Sequence, residues 1–452
     1  MQSKWIKRAV CAAVVTGAMT PMVSSADELA ELKARVAELE RQQNQTWLSE
    51  RQAHEVKSLI AETLQDADTR ASLLADEMSA GWKKKFFLQN GDGSFNMTFG
   101  GQLQFRFVAE VQSDAADEAD SGFQLRRTKL KIDGDVYDDW GYTIVFSGDR
   151  EDGSVSVEDF VISRKIGSIG VKVGKFKLPF LREELLSSSR QLAVDRSMST
   201  EFFTLDRSEQ IQLSYSADNF KVAVSINDGA DEEFSDSGLD PVEIGFTGRV
   251  DIKVMGDWGQ MKDFVAWLGD EDAGLFIGIA VHFQAGDGNN ADNSSEAEAN
   301  YTAWTIDVLY ENSGLSIMAA YIGGSVEVDN GATIDSGTAD RDPSAFVVQT
   351  GYMVTEKLQP FVRFDFIDGD FAAAEDIQAF TFGLNYYIQK HKVKLTGDVI
   401  WVFDGDFSAG GLDDNFDFGN DAFSTGLGFT GENESADDDD IFVVRIQLQV
   451  LF

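Results

Sequence analysis

The feature that most constrains this chain is an alternation of apolar and polar residues, with a period of two, from Asn96 to the last residue, Phe452. It is visible from Leu103 to Phe107 and again from Val362 to Phe366. Alternation places apolar side chains on one face of a strand and polar ones on the other. Runs of about ten such residues are typical of barrel strands that face lipid on one side and a lumen on the other. A soluble β-sandwich also alternates, but it does not need such long strands joined alternately by very short turns and long acidic loops.

The links between these runs predict the number of strands. Taken at face value, the apolar runs give seventeen candidate strands, among them a weak one from Met261 to Leu268. A barrel whose two ends lie on the same side of the membrane needs an even number, with its short turns all on one side. Both conditions are met if the weak run belongs to an irregular connection from Met255 to Ala273. The chain is therefore predicted to be all-β, with a 16-stranded antiparallel transmembrane β-barrel over residues 95–452, wide enough for an aqueous channel.

The N-terminus has the layout of a cleaved signal peptide over residues 1–26. Lys4, Lys7 and Arg8 precede an apolar run that is too short to span a bilayer, and small residues precede the expected cut after Ala26. The only cysteine, Cys11, lies in this segment. We therefore expect no disulfide and no thiolate-bound metal in the mature protein. No other motif indicates a metal site or a cofactor, and we predict none.

Residues 27–80 predict a helical coiled coil. Glu28 to Met78 contains neither proline nor glycine, and apolar residues recur at spacings of three and four from Leu29 to Leu39. A helix that is polar nearly all round is stabilised by self-association, so we expect a periplasmic coiled coil that joins protomers into a homotrimer. The open alternative is a flexible tether to the cell wall. A linker at 81–94 would connect this segment to the barrel.

Charge excludes one class of partner. The net charge of −39 becomes −42 when the three basic residues leave with the signal peptide, which argues against nucleic-acid binding. Most of the acidic residues lie in the long links, as in Asp437 to Asp440. Screening over about 10 Å at ordinary salt would separate these charges from a deep constriction.

Two stretches resemble the phosphate-selective porin O and P family. Leu125 to Leu130, followed by Gly134 and Tyr137 to Trp140, is similar to its strand-and-turn signature. The run from Val173 to Phe180, with the residues that follow as far as Arg196, is similar to its most characteristic block. Leu178 stands where the family usually has an acidic residue, and Asp195 stands where it usually has a glutamate. The last strand, which ends at Phe452, resembles the terminal strand of outer-membrane porins that the barrel-assembly machinery reads.

The resemblance implies an outer-membrane porin of Gram-negative bacteria, in contact with outer-membrane lipid, that passes small hydrophilic solutes and prefers anions such as phosphate. It also implies that the segment 177–207 is a constriction loop folded into the lumen. Arginine and lysine rings favour anions in pores, and arginine can bind phosphate oxygens with two hydrogen bonds. The candidate anion-contacting residues on this loop and on lumen-facing strand positions are Lys177, Arg182, Arg190, Arg196, Arg106, Arg127, Lys129, Lys131, Lys172, Arg363 and Arg445.

Two other functions stay open at this point. Acidic residues share the lumen-facing phases, Asp133, Asp365 and Asp398 among them. These carboxylates could form salt bridges with the cations and brace a general, non-selective or cation-tolerant diffusion porin that also tethers the membrane through its coiled coil. An outer-membrane barrel enzyme would need a nucleophile or water polarised by histidine, and no such signature accompanies His54, His282 or His391. We therefore predict no catalytic residues.

Overall fold

The fold is seen in a computed structural model, which describes residues 33–35, 37–38, 54, 57–58, 78–112, 121–137, 139–149, 153–230, 242–269, 272–286, 299–328, 340–370, 376–404 and 441–452. The chain divides into two compact units, Met1–Ala75 and Asp76–Phe452. The few described residues of the first unit are helical. The predicted signal peptide (1–26) and most of the predicted coiled coil (27–80) lie outside the described residues.

Sixteen antiparallel strands, β3 to β18, form a closed barrel in which each strand pairs with its neighbours in sequence and β18 pairs with β3. The predicted strand number is confirmed. The strands are β3 (Phe95–Gln112), β4 (Ser121–Val136), β5 (Trp140–Gly148), β6 (Val155–Ile166), β7 (Ile169–Lys177), β8 (Arg207–Ser216), β9 (Phe220–Asn227), β10 (Val242–Met255), β11 (Gly274–Gly286), β12 (Ala299–Asn312), β13 (Leu315–Val328), β14 (Ser344–Tyr352), β15 (Leu358–Asp368), β16 (Ile377–Tyr387), β17 (Val393–Asp404) and β18 (Ile441–Leu451). Closure pairs the backbone groups of every strand on both sides, as a lipid environment requires.

A short hairpin precedes the barrel and meets the end of the chain. Its strands β1 (Ser79–Lys83) and β2 (Lys85–Gln89) pair with each other, and β2 also pairs with the start of β3. Much of this hairpin falls within the segment expected to be a linker, 81–94. Because β18 pairs with the remainder of β3, β2 and β18 follow one another along the same edge of that strand.

The two ends of the barrel differ in the length of their links. At one end the strands are joined by turns of two to five residues and by the β10–β11 link, residues 256–273. The weak strand candidate within that link is absent from the described residues 256–269, which instead contain a 3-10 helix at Gln260–Lys262. At the opposite end the links are longer, reaching 36 residues between β17 and β18. We refer to these as the short-turn end and the long-link end.

Side chains alternate between the two faces of the wall as the sequence pattern predicts. On β18, Ile446 and Leu448 are exposed on the outer face, whereas Arg445 and Gln447 are buried on the inner face. The same alternation on β3 exposes Leu103 and Phe105 and buries Gln104. None of the helices among the described residues is long and apolar enough to cross a bilayer.

Candidate channel and constriction loop

The segment between β7 and β8, which we call the constriction loop (178–206), fills part of the lumen. It contains helices α1 (Arg182–Leu185) and α2 (Met198–Phe202) and a 3-10 helix at Ser188–Arg190. Serine starts the second helix, because the hydroxyl of Ser197 accepts a hydrogen bond of 3.1 Å from the backbone N–H of Thr200.

An apolar core attaches the loop to one side of the barrel. Leu178, Phe180 and Leu205 are fully buried, and they belong to one cluster with small inner-face residues of the wall such as Ala303 and Ala345. The members of this cluster lie mainly on β11 to β18. Small side chains on the wall leave room for the loop, which therefore packs against that half of the barrel.

A buried cluster of three arginines and one carboxylate holds the middle of the loop. The carboxylate of Asp195 lies 2.6 Å from Arg106, 3.2 Å from Arg126 and 2.8 Å from Arg127. Burial alone would raise the pKa of Asp195, but the guanidinium groups of Arg126, Arg127 and Arg106 hold it well below its usual range. Asp195 therefore stays ionised and anchors the loop to β3 and β4.

Further ion pairs attach the loop to the opposite wall. Arg363 of β15 lies 3.0 Å from Glu183. Arg182 forms ion pairs with Asp307 and Asp251 on β12 and β10. Asp398 of β17 accepts a hydrogen bond of 2.9 Å from the backbone N–H of Val194.

The loop leaves an open channel against the other half of the barrel. This cavity, of about 1330 Å³, is lined mainly by β4 to β9 and by the inner side of the constriction loop, with a few residues from β2, β3, β10 and the end of the chain. Its described lining includes twelve Lys or Arg residues and six Asp or Glu residues. Serine is also frequent there, for example Ser147, Ser156 and Ser214. The channel is thus off-centre, polar and lined by an excess of positive charge.

Seven of the eleven predicted contact residues line this cavity. They are Arg127, Lys129, Lys131, Lys172, Lys177, Arg190 and Arg196. The other four, Arg106, Arg182, Arg363 and Arg445, are buried in ion pairs and are not part of its described lining. Arg445 lies 2.8 Å from Asp398 and has no exposed side-chain surface.

Most of the lining cations also have acidic partners. Lys129 forms an ion pair with Glu158, and Arg207 lies 2.6 Å from Asp159. Arg196 lies 3.3 Å from Glu201, and this carboxylate is the main attraction that raises the pKa of Arg196 against the opposing effect of burial. Lys131 is 43% exposed and lies 3.6 Å from Asp133. The channel therefore combines paired charges on and next to the constriction loop with more accessible lysines.

Four lining cations lie outside the predicted loop and wall positions: Lys85, Arg126, Lys221 and Arg249. A fifth, Arg207, ends the predicted constriction loop but is not among the candidate anion-contacting residues. Arg126 is the clearest case. A β-bulge between β3 and β4 sets Gln104 opposite Arg127 and Phe105 opposite Leu125, so Arg126 is left without a partner on β3 and turns inward. Two consecutive arginines in a run with a lipid-facing side were the available signal, because an arginine facing lipid is costly.

One carboxyl group of the loop has a pKa close to neutral pH. Glu184 is fully buried beside Lys177, Arg196 and Asp206. Burial, reinforced by the carboxylate of Asp206, raises the pKa of Glu184 to about 7. Its backbone oxygen accepts a hydrogen bond of 2.6 Å from Lys177.

The two histidines of the barrel have structural partners. His282 is buried on β11, where its ring contacts Thr247 at 2.8 Å and Gln284 at 3.0 Å. His391 lies 3.2 Å from Asp263 in the turn between β16 and β17. Across the described ranges, no three His, Cys, Asp or Glu side chains are grouped closely enough to hold a metal ion.

Comparisons with known proteins agree with this architecture. The anion-selective porin from Comamonas acidovorans superposes with a TM-score of 0.55 at 13% identity, covering 79% of this chain and 100% of that one. Salmonella typhi OmpF, in its complex with daunomycin, gives 0.51 at 11% identity and covers 79% of this chain and 98% of that one. At these identities the likeness concerns the fold alone.

The sequence comparisons extend to the family. An uncharacterized protein of Aquifex aeolicus is 22% identical over 261 residues, a match that spans 52% of this chain and 60% of that relative. The profile of the phosphate-selective porin O and P family matches residues 95–406. This match covers more than half of the chain, and this chain therefore belongs to the phosphate-selective porin O and P family.

Proposed function

We propose that this porin admits small hydrophilic solutes passively and prefers anions. The observation that carries the proposal is the lining of the channel, in which twelve cationic side chains face six carboxylates. An excess of fixed positive charge near low-dielectric walls concentrates anions and repels cations. The mechanism is electrostatic steering through a constriction, with no chemical step.

Phosphate is the anion that the lining fits best. Arg190 and Arg196 lie on the inner side of the constriction loop, where a guanidinium group can give two parallel hydrogen bonds to phosphate oxygens. Lys131 and Lys172 add accessible ammonium groups on the facing wall. Serine hydroxyls along the same wall can donate further hydrogen bonds as the ion loses water.

A general diffusion porin is the second candidate. It is favoured by the ion pairs of the channel lining, such as Arg207 with Glu158 at 2.8 Å, because a paired cation attracts a passing anion less strongly. The two candidates differ in the sign and size of the reversal potential under a salt gradient, which makes that measurement decisive.

The test is a planar-bilayer recording of the purified protein under a potassium chloride gradient. We expect an anion-directed reversal potential that shifts towards zero when Lys131 and Lys172 are both changed to Gln. Arg164→Gln is the matched control, since Arg164 packs on Trp140 at 4.8 Å and is not among the described lining residues. A cation-directed potential in the wild-type protein would refute the anion preference, and a potential near zero would favour the general porin.

Recording with added phosphate tests whether phosphate binds in the channel. We expect phosphate to block part of the chloride current, and Arg190→Ala or Arg196→Ala to weaken that block. Unchanged block in both variants would place the phosphate contact outside the constriction loop.

We also propose how the chain is processed, oriented in the membrane and assembled. We propose that the short-turn end faces the periplasm and that the 27–80 coiled coil is periplasmic, where it joins three protomers or contacts the cell wall. The signal peptide is residues 1–26, and the Phe452 terminus is recognised by the barrel-assembly machinery. Cross-linking of the full chain in intact outer membranes should give trimers, and removal of Phe452 should lower the amount of assembled barrel. A monomeric cross-linking pattern would contradict the trimer.

A further inference from the structure

The β10–β11 link is unlike the other connections at the short-turn end. It has eighteen residues, where the turns have two to five. Its central residues Phe264, Val265 and Ala266 are at most 5% exposed. A surface loop of this length would leave such residues in water, so the link folds into the barrel.

Hydrogen bonds and ring contacts attach the link to distant strands. The carbonyl oxygen of Phe264 accepts bonds from the Ser316 hydroxyl of β13 at 2.7 Å and from the Gln359 amide of β15 at 3.3 Å. Further on, the Trp267 ring packs edge-on against Tyr387 of β16, with ring centroids 4.9 Å apart. The link therefore extends from β10 to β16 across the short-turn end of the lumen.

The same link meets the constriction loop. Phe264 belongs to one buried cluster with Leu186, Leu192 and Ala193 of that loop. The backbone oxygen of Lys262 accepts a hydrogen bond of 3.3 Å from the Arg190 guanidinium. Leu186 and Arg190 both line the channel, whereas none of the described link residues does so. The link thus touches the back of the segment whose front faces the passing solute.

From these contacts we infer that the β10–β11 link, which we call the floor, supports the constriction loop from behind. By holding that loop in place, the link fixes the width and charge of the channel. Phe264 is the positioning residue. It fills the space behind Leu186 and Leu192, and the neighbouring Lys262 carbonyl orients Arg190. No substrate contact by the link is required. The link holds the constriction loop whichever ions the channel prefers. Only the expected effect on ion selectivity rests on the proposed anion preference.

The test compares three substitutions by single-channel recording. Phe264→Ala empties the space behind the loop, so we expect a higher conductance and more open-channel noise as the segment 186–193 moves. Phe264→Leu retains most of the apolar volume and should return both values towards wild type. Phe246→Ala is the matched control, because Phe246 is exposed on the outer face of β10, and it should leave both unchanged. Equal conductance and noise in Phe264→Ala and Phe246→Ala, with both barrels folded, would overturn the inference.

A double variant tests the route through Arg190. If the link acts by orienting that guanidinium, Phe264→Ala and Arg190→Ala should each lower the anion preference, and the double variant should resemble Arg190→Ala alone. Fully additive shifts in reversal potential would overturn the route. If the wild-type channel has no anion preference, the proposed function fails, while the conductance and noise measurements still decide the role of the floor.

Discussion

At the scale of single residues, Asp195 is the carboxylate of the constriction loop that pairs with three arginines. Its carboxylate, 1% exposed, faces Arg106, Arg126 and Arg127 at once. A buried charge is costly unless it is paired, so the loss of this one carboxylate would leave three guanidinium groups uncompensated. The three ion pairs between the constriction loop and strands β3 and β4 at this point therefore share one carboxylate.

We predict that Asp195→Asn destabilises the barrel by about 3–5 kcal/mol at neutral pH, the usual effect of breaking a buried ion pair. Thermal unfolding in detergent, followed by circular dichroism, measures the change. Asp139→Asn is the control, because its pair with Arg164 is 48% and 40% exposed and contributes about 0–1 kcal/mol. Similar losses in the two variants would show that the cluster around Asp195 contributes little.

Glu184 should make stability depend on pH. Its pKa is about 7 in the folded protein against an ordinary 4.5, so the folded state retains a proton that the unfolded chain has already lost in that interval. Stability should therefore fall as the pH rises from 4.5 to 7, and level off above that range. We predict that Glu184→Gln raises the unfolding temperature at pH 8 and has little effect at pH 4.5.

The control for this pH dependence is Glu356→Gln, in the exposed turn between β14 and β15. It should shift the unfolding temperature equally little at both pH values. If Glu184→Gln behaves in the same way, the pKa of the Glu184 carboxyl is similar in the folded and unfolded chains, and Lys177 and Arg196 offset the effect of burial.

At the scale of elements, barrel closure depends on a close approach between β3 and the chain terminus. The backbone N–H of Gly101 donates to the carbonyl oxygen of Phe452 at 2.9 Å, and the Phe452 N–H donates back at 3.2 Å. A Cβ atom on Gly101 would overlap the Phe452 ring. Glycine at position 101 leaves room for the Phe452 ring, and a side chain there would have to displace it.

We predict that Gly101→Val lowers the yield of closed barrel, because its side chain displaces the Phe452 ring and strains the last backbone pair. The heat-modifiable fraction on a denaturing gel measures closure. Gly122→Val is the matched control on β4, where an added Cβ would meet nothing within 4 Å. Equal folded fractions in the two variants would contradict the proposed need for glycine at position 101.

The sequence predicted the strands well because a two-residue period is a local property of the chain. The strand number followed from the parity of the links and from the decision to leave Met261 to Leu268 out of the wall. The path of that segment could not be predicted from the sequence, because Phe264 is held by Ser316 and Gln359, which are distant in sequence. Likewise, the inward turn of Arg126 comes from a bulge whose position depends on strand register.

At the scale of the whole molecule, the charges on the channel wall and the charge of the entire chain have opposite signs. The alternation along each strand identifies which cations face the lumen. It does not distinguish a cation that lines the channel, such as Lys131, from one buried beneath the constriction loop, such as Arg445. That distinction depends on which half of the lumen the constriction loop fills. The hydrophobic contacts of Leu178, Phe180 and Leu205 decide this, and they join parts of the chain far apart in sequence.

This contrast predicts how selectivity depends on salt. The segment 405–440 carries eleven Asp or Glu residues and no Lys or Arg, and it joins β17 to β18 at the long-link end. The Debye length rises from about 3 Å at 1 M salt to about 30 Å at 0.01 M. At low salt the negative field of this segment should therefore extend into the channel and oppose its positive lining.

We predict that changing Asp437 to Asp440 to Asn makes the channel more anion-preferring than wild type, by an amount that is small at about 1 M salt and grows towards 0.01 M. Reversal potentials at a fixed concentration ratio, recorded over that salt range, measure the difference. Comparing variant with wild type at each concentration removes the effect of salt on the lining charges, which the two proteins share. A difference that stays constant with salt would mean that these carboxylates act by direct contact with ions, and no difference at any salt would mean that the lining alone sets the selectivity.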